Sequence, residues 1–215
     1  MTTSSIEWLR KAGIACIVGA LITAIGGVVS QVAQSSTTVS DEMWSYPWSS
    51  GTLVPLSLLW AFAHVLILVG LLGLRRSGLA GPTRAATVGL ALALTGTALL
   101  LVGELASIPI RDQNVDDAGP AIVGPVFGVG TLLSAIGLIL AGKATMQAGL
   151  WRDWRRFTPL VTGVWTLVLV GLVSTKVMAA GIAVYGLCFL ALGVALYSRP
   201  SPVATRPASA QAQGA

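Results

Sequence analysis

Residues 53–74 read LVPLSLLWAFAHVLILVGLLGL, and Arg75 and Arg76 follow at once. An apolar run of about 20 residues, wound as a helix, matches the ~30 Å hydrocarbon core of a bilayer. Five more runs of this kind lie at about 12–33, 85–108, 121–141, 160–175 and 178–197. Together they predict an all-α integral membrane protein, a bundle of six transmembrane helices forming three hairpins within residues 1–198. With 54% hydrophobic and only 10% charged residues, against about 25% charged in soluble proteins, the chain leaves no room for a large water-soluble domain.

The charges order these runs in space. Arg10, Lys11, Arg75, Arg76, Arg84, Lys143, Arg152, Arg155, Arg156, Arg199 and Arg206 fall on one set of connections, and only Arg111 and Lys176 on the other. Eleven bases against Glu7 and Asp153 give +9 on the first side. Two bases against Asp41, Glu42, Glu104, Asp112, Asp116 and Asp117 give −4 on the second, and the two restore the formal charge of +5. Basic connections stay in the cytoplasm, so both termini are expected inside. The basic excess is thereby an orientation signal, and nucleic acid is not implied as a partner.

Arg10 and Lys11 ahead of the first run resemble a signal peptide. However, the run exceeds the ~7–15 residues of an h-region and Val32-Ala33-Gln34 is a poor cleavage site, so a retained helix is expected. Pro55, Pro82, Pro120 and Pro159 mark helix starts, where a missing N–H costs little. Small residues four apart, Ala20 and Ala24, Gly124 and Gly128, Gly130 and Ser134, Gly137 and Ala141, predict close helix packing. Cys16 and Cys188 fall within runs and read as small packing residues. The segment 199–215, rich in Pro, Ala, Ser and Gln, is expected to be a disordered cytoplasmic tail. Three lysines among thirteen basic residues suggest a high-G+C bacterial genome, and hence a multi-pass protein of the bacterial inner (plasma) membrane.

Two connections address the membrane surface. Between runs four and five, Met146, Leu150, Trp151, Trp154 and Phe157 recur at helical spacing with Arg152, Arg155 and Arg156 on other faces. The pattern predicts a basic helix lying in the interface, its cations on anionic headgroups of the inner face and Trp151 and Trp154 among the lipid. On the other side, 35–52 carries Trp44, Tyr46, Pro47 and Trp48. Its rings suit either an outer aromatic belt or a lid over an outward-facing cavity, with Trp44, Tyr46, Trp48 and Trp60 as candidate ligand contacts.

Ionisable groups inside the membrane are costly and mark functional candidates. His64, the single histidine, lies about 16 Å below the outer boundary by helix rise, and Glu104 about 6 Å below it. The ~10 Å stagger argues against a direct hydrogen bond, while a water-filled cavity could include both. Glu104 could also pair with Arg111. One histidine excludes a bis-histidine haem, and no cofactor is implied. Asp112, Asn114 and Asp116 copy the opening D-x-N-x-D of a calcium loop, but Asp117 replaces the glycine and Val123 the bidentate glutamate, leaving weak metal candidates.

Three functional readings follow, in order. The first is a non-enzymatic accessory, sensor or lipophilic-ligand-binding protein with an outward-facing site, a lipophilic small molecule or another protein being its partner. The second is a membrane-embedded enzyme on a lipophilic substrate, with Glu104 as general acid or base and His64 assisting. The third is a small-molecule transporter, which would need a polar path continuing inward past His64, where Thr95 and Thr97 are among the few candidates.

Overall fold

The computed structural model describes residues 3–198 and is helical throughout: α1 (Thr3–Gln34), α2 (Ser50–Ser77), α3 (Arg84–Ser107), α4 (Ala118–Ala148), α5 (Thr158–Leu172) and α6 (Met178–Tyr197), with a 3-10 turn at Asp153–Phe157 before α5. No strand occurs among the described residues beyond an isolated antiparallel bridge between Met43 and Asn114. The tail expected over 199–215, with Arg199 and Arg206, lies outside the described residues. Five helices, all except α5, are long and apolar enough to cross a membrane, so the chain is a multi-pass membrane protein. With 15 residues, α5 falls short of the usual ~17.

Helix ends follow local chemistry. Ser49 and Thr83 cap α2 and α3 by accepting from the backbone N–H groups of Thr52 and Ala86. At the other ends of α2 and α4 stand Gly78 (φ 70°) and Gly149 (φ 62°), in the left-handed conformation that a helix stop requires and glycine adopts without a Cβ clash. Arg75 and Arg76 occupy the last turn of α2, where cations complement the helix dipole. Pro55 and Pro125 lie inside α2 and α4 rather than at their first positions.

Each helix packs on its neighbours in the chain, and α6 closes back on α1, giving a ring of six. The seams are made by small residues. A Cβ placed on Gly27 would stand 2.5 Å from the Ala183 nitrogen, and one on Gly186 2.5 Å from the Ala24 nitrogen, so α1 and α6 meet backbone to backbone. Across the ring, α3 and α4 do the same at Gly89 against Ala141, Gly96 against Ser134 and Gly137 against Ala93. Such closeness supplies dispersion contacts that lipid tails cannot match. Cys16 packs against Gly70 at the α1–α2 seam. Buried threonines need no partner helix: Thr97, Thr145 and Thr162 donate to the carbonyls of Ala93, Ala141 and Thr158 one turn back at 2.7–2.8 Å.

The stretch between α4 and α5 departs from the single interfacial helix read from its spacing. Residues 143–148 continue α4, the chain turns at Gly149, and only Asp153–Phe157 winds again, as a 3-10 turn. Trp151 consequently folds inward, 2% exposed, in the same buried cluster as Leu79, Ala80 and Ala144. It is a core residue, not a lipid contact. Arg152, Trp154 and Arg156 are exposed and Arg155 half-buried, with the Arg156 guanidinium 4.6 Å from the Phe157 ring centre. At the same end, Arg76 lies over Trp8 (5.0 Å) and Arg10 over Tyr197 (5.1 Å), tying α1 to α2 and α6.

Candidate functional site

The ring is filled at its basic end and hollow at the other. A cavity of about 480 Å³ lies between the helices, and all six contribute to its wall. From α1 come Thr23, Gly27 and Ser30, and from α2 Trp60 and His64. Leu100 and Glu104 of α3 face them, with Gly124, Phe127, Gly128 and Thr131 of α4. Thr166, Leu169 and Val170 of α5, Val173 just past its end, and Met178, Ile182 and Tyr185 of α6 add the remaining helical part of the wall. Volumes of 300–1,000 Å³, mostly apolar with a few placed polar groups, are typical of small-molecule sites.

His64 is held by its own helix: Nδ1 donates to the Trp60 carbonyl at 2.9 Å, because a carbonyl oxygen can only accept. In the neutral ring Nε2 is then a hydrogen-bond acceptor, and among the described residues it has no partner. Glu104, half-buried, likewise makes no hydrogen bond or ion pair among the described residues. The Arg111 partner considered from sequence is engaged elsewhere, donating to the Ile108 carbonyl (3.0 Å) and standing 3.5 Å from Asp112. The two ionisable residues thus line one cavity despite their stagger in depth. Most other polar groups of the wall are spent locally: Thr23, Thr131 and Thr166 donate to the carbonyls of Gly19, Phe127 and Thr162. Tyr185 packs its ring edge-on to Phe189 at 4.9 Å, its hydroxyl buried without a partner among the described residues.

The aromatic loop lies over this hollow. Trp44 lines the main cavity, and Trp44, Tyr46, Pro47 and Trp48 line an adjoining cavity of about 240 Å³ that shares Trp60, Glu104 and Phe127 with it. The loop is tied down by the Trp44 N–H to the Gln113 carbonyl (2.9 Å), the Val115 N–H to the Glu42 carbonyl (2.7 Å) and the Thr37 hydroxyl to the Pro47 carbonyl (2.8 Å). The Tyr46–Pro47 peptide is cis.

Asp112, Asn114 and Asp116 do not converge as a cation site. Asp112 faces Arg111, the Asn114 N–H is taken by the Asp117 carboxylate (2.8 Å), and no group of three or more His, Cys, Asp or Glu side chains gathers among the described residues.

Gly124 and Gly128 are the chief surprise. Their spacing is that of a packing pair, yet a Cβ on either would meet nothing within 4 Å, and both line the cavity. They make space rather than a seam. Thr23, Ser30, Phe127, Thr166 and Tyr185 carried no signal in the sequence, because only closure of the ring brings them together. Comparison of the chain with protein-family models, with curated proteins and with solved structures finds no match.

Proposed function

We propose that this chain is a six-spanning protein of a bacterial plasma membrane, both termini cytoplasmic, which binds a lipophilic small molecule in a cavity on its outer half and serves as an accessory or sensor protein. The observation that carries the reading is the apolar hollow of about 480 Å³ in whose wall His64, tied to the Trp60 carbonyl only through Nδ1, and Glu104 leave Nε2 and the carboxyl without a protein partner among the described residues. Leaving such groups unpaired is costly, and a ligand's polar end would offset that cost. Since Nε2 of neutral His64 accepts, the matching ligand carries a hydroxyl or amine donor on an apolar body. The charge asymmetry supports the orientation, and exposed Arg152, Trp154 and Arg156 suit anionic headgroups of the inner leaflet, at roughly 1 kcal/mol per basic residue.

Thermal unfolding of the detergent-purified protein tests this, with and without a lipid extract of the native host, alongside His64→Ala and Glu104→Gln. A ligand at about 100 times its Kd stabilises by ~2.7 kcal/mol, or roughly 5–10 °C at this chain length. We expect the wild type to shift upward and at least one variant to lose the shift. Equal responses from all three proteins, or none from the wild type, would overturn the reading.

The shared cavity also favours a second reading, the membrane enzyme with Glu104 as general acid or base and His64 assisting. Conversion of the co-purifying compound by wild type, lost in Glu104→Gln with binding retained, would select it. A transporter ranks behind: the Thr97 hydroxyl is taken up by the Ala93 carbonyl at 2.8 Å, and neither Thr95 nor Thr97 lines the cavity.

A further inference from the structure

One seam of the ring is closed at its basic end and open at the other. On α4, Gly142, Leu138 and Ala135 pack on α5, and the same helical spacing carried along the helix puts Thr131, Gly128 and Gly124 on that face. Near the basic end this stripe is tightly packed: Gly142 lies against the Leu160 backbone, and a Cβ on Gly163 would stand 2.6 Å from the Ile139 nitrogen and 2.9 Å from the Ala135 carbonyl oxygen. From Thr131 onward the same stripe lines the cavity, and at Gly128 and Gly124 nothing lies within 4 Å of a Cβ. The facing stripe of α5 does likewise, with Thr166, Val170 and Val173 passing from buried to 68% exposed while all three line the same hollow.

The adjoining seams are shut at that level. Between α3 and α4, Gly103 meets the Phe127 ring, at 2.9 Å from a Cβ. Between α5 and α6, the Trp165 indole donates to the Gly181 carbonyl at 2.9 Å, and Leu169 and Leu172 pack on Gly181. The loop end is covered by Trp44, Tyr46 and Trp48, held by the hydrogen bonds already described. Gly128 and Val173 are therefore at once cavity wall and outer surface, on a flank where exposed Val129, Ile136 and Val161 present only hydrocarbon.

Resting on the ligand-binding reading of the cavity, we propose that the gap between α4 and α5 is a lateral portal through which the acyl chain of a bilayer lipid whose headgroup carries an amine or hydroxyl donor enters it. The chemistry of the portal suits a hydrocarbon chain: the Thr131 and Thr166 hydroxyls donate within their own helices and offer the chain no unmatched donor. Two glycines leave the width that side chains would fill, and entry from the side spares a lipid chain any passage through water.

The test uses the full chain in phosphatidylcholine vesicles containing a phosphatidylethanolamine, whose headgroup carries the amine donor, with a diazirine on one acyl chain, followed by illumination and mapping of adducts by mass spectrometry. In wild type, adducts are expected on cavity residues such as Trp60 and Tyr185 as well as on the outward-facing Ile136 and Val161. Gly128→Leu and Gly124→Leu fill the gap and should lower the cavity adducts several-fold while Ile136 and Val161 keep theirs, which also reports an intact bundle. Gly171→Leu, on α5 with nothing within 4 Å of its Cβ and no part in the cavity wall, should change neither set. Cavity residues that stay unlabelled in wild type, or labelling indifferent to both gap-filling variants, overturn the portal. If the lipid extract still stabilises that wild type, ligand binding stands with entry beneath the aromatic loop; if it does not, both readings fall.

Discussion

Gly96 and Gly128 have the same side chain and sit on neighbouring helices, yet they face opposite demands. A Cβ at Gly96 collides with the Ser134 backbone, which cannot rotate away, whereas one at Gly128 meets nothing. Overpacking a tight seam costs about 1–3 kcal/mol. Replacing glycine by alanine in an unobstructed helix gains roughly 0.5–1 kcal/mol by restricting the unfolded chain. We therefore expect Gly96→Ala to lower the unfolding midpoint of the detergent-solubilised protein by several degrees and Gly128→Ala to leave it unchanged or raise it slightly. Equal losses in the two variants would mean that Gly128 also sits in a packed seam. Spacing of four was readable in the sequence; the face it served was not, because that depends on how the partner helix is inclined.

The connections show the same division between local and distant causes. Ser49, Thr83 and Gly78 stop or start helices through atoms a few residues away, and the ends of α2 and α3 were legible to within about three residues, whereas α4 runs past the expected 141 to Ala148 and stops at Gly149. Trp151 was not, since its burial in one cluster with Leu79 and Ala80 comes from a connection about seventy positions earlier in the chain. In the 35–49 loop the local part is Thr37, whose hydroxyl donates to the Pro47 carbonyl (2.8 Å) and accepts from the Val39 N–H (3.1 Å). Thr37→Val keeps the shape and removes both bonds, at about 0.5–1.5 kcal/mol each, with every 1.4 kcal/mol worth a factor of ten in local opening. Amide exchange at Tyr46 and Trp48, which donate to the Met43 and Ser45 carbonyls, should speed up by roughly tenfold or more while the middle of α2 is unaffected. Unchanged exchange at both amides would show that the bridge to residues 113–115 alone holds the loop.

The ring as a whole poses the question of whether α5 crosses the membrane. Its 15 residues span about 22 Å against a ~30 Å hydrocarbon core, and a mismatch of this size costs only fractions of a kcal/mol per Å, absorbed by thinning of the bilayer or by apolar flanks. Such flanks exist: Val173 and Val177, 68% and 52% exposed, extend the apolar surface beyond Leu172. Packing of α5 between α4 and α6, and a connection bearing Lys176 alone among bases beside one bearing Arg152, Arg155 and Arg156, agree with a sixth crossing. A helix lying in the plane would instead leave Lys176 on the side of the arginines and send Tyr197 to the opposite one, breaking the contact of Arg10 with the Tyr197 hydroxyl at 3.2 Å. Reporter fusions in a bacterial host separate the two. With six crossings, alkaline phosphatase fused after Lys176 is active and green fluorescent protein fused after Ser198 is bright. The reverse pattern means five crossings, and the α4–α5 gap would then border the membrane surface rather than its hydrocarbon, removing the setting in which an acyl chain enters from the side.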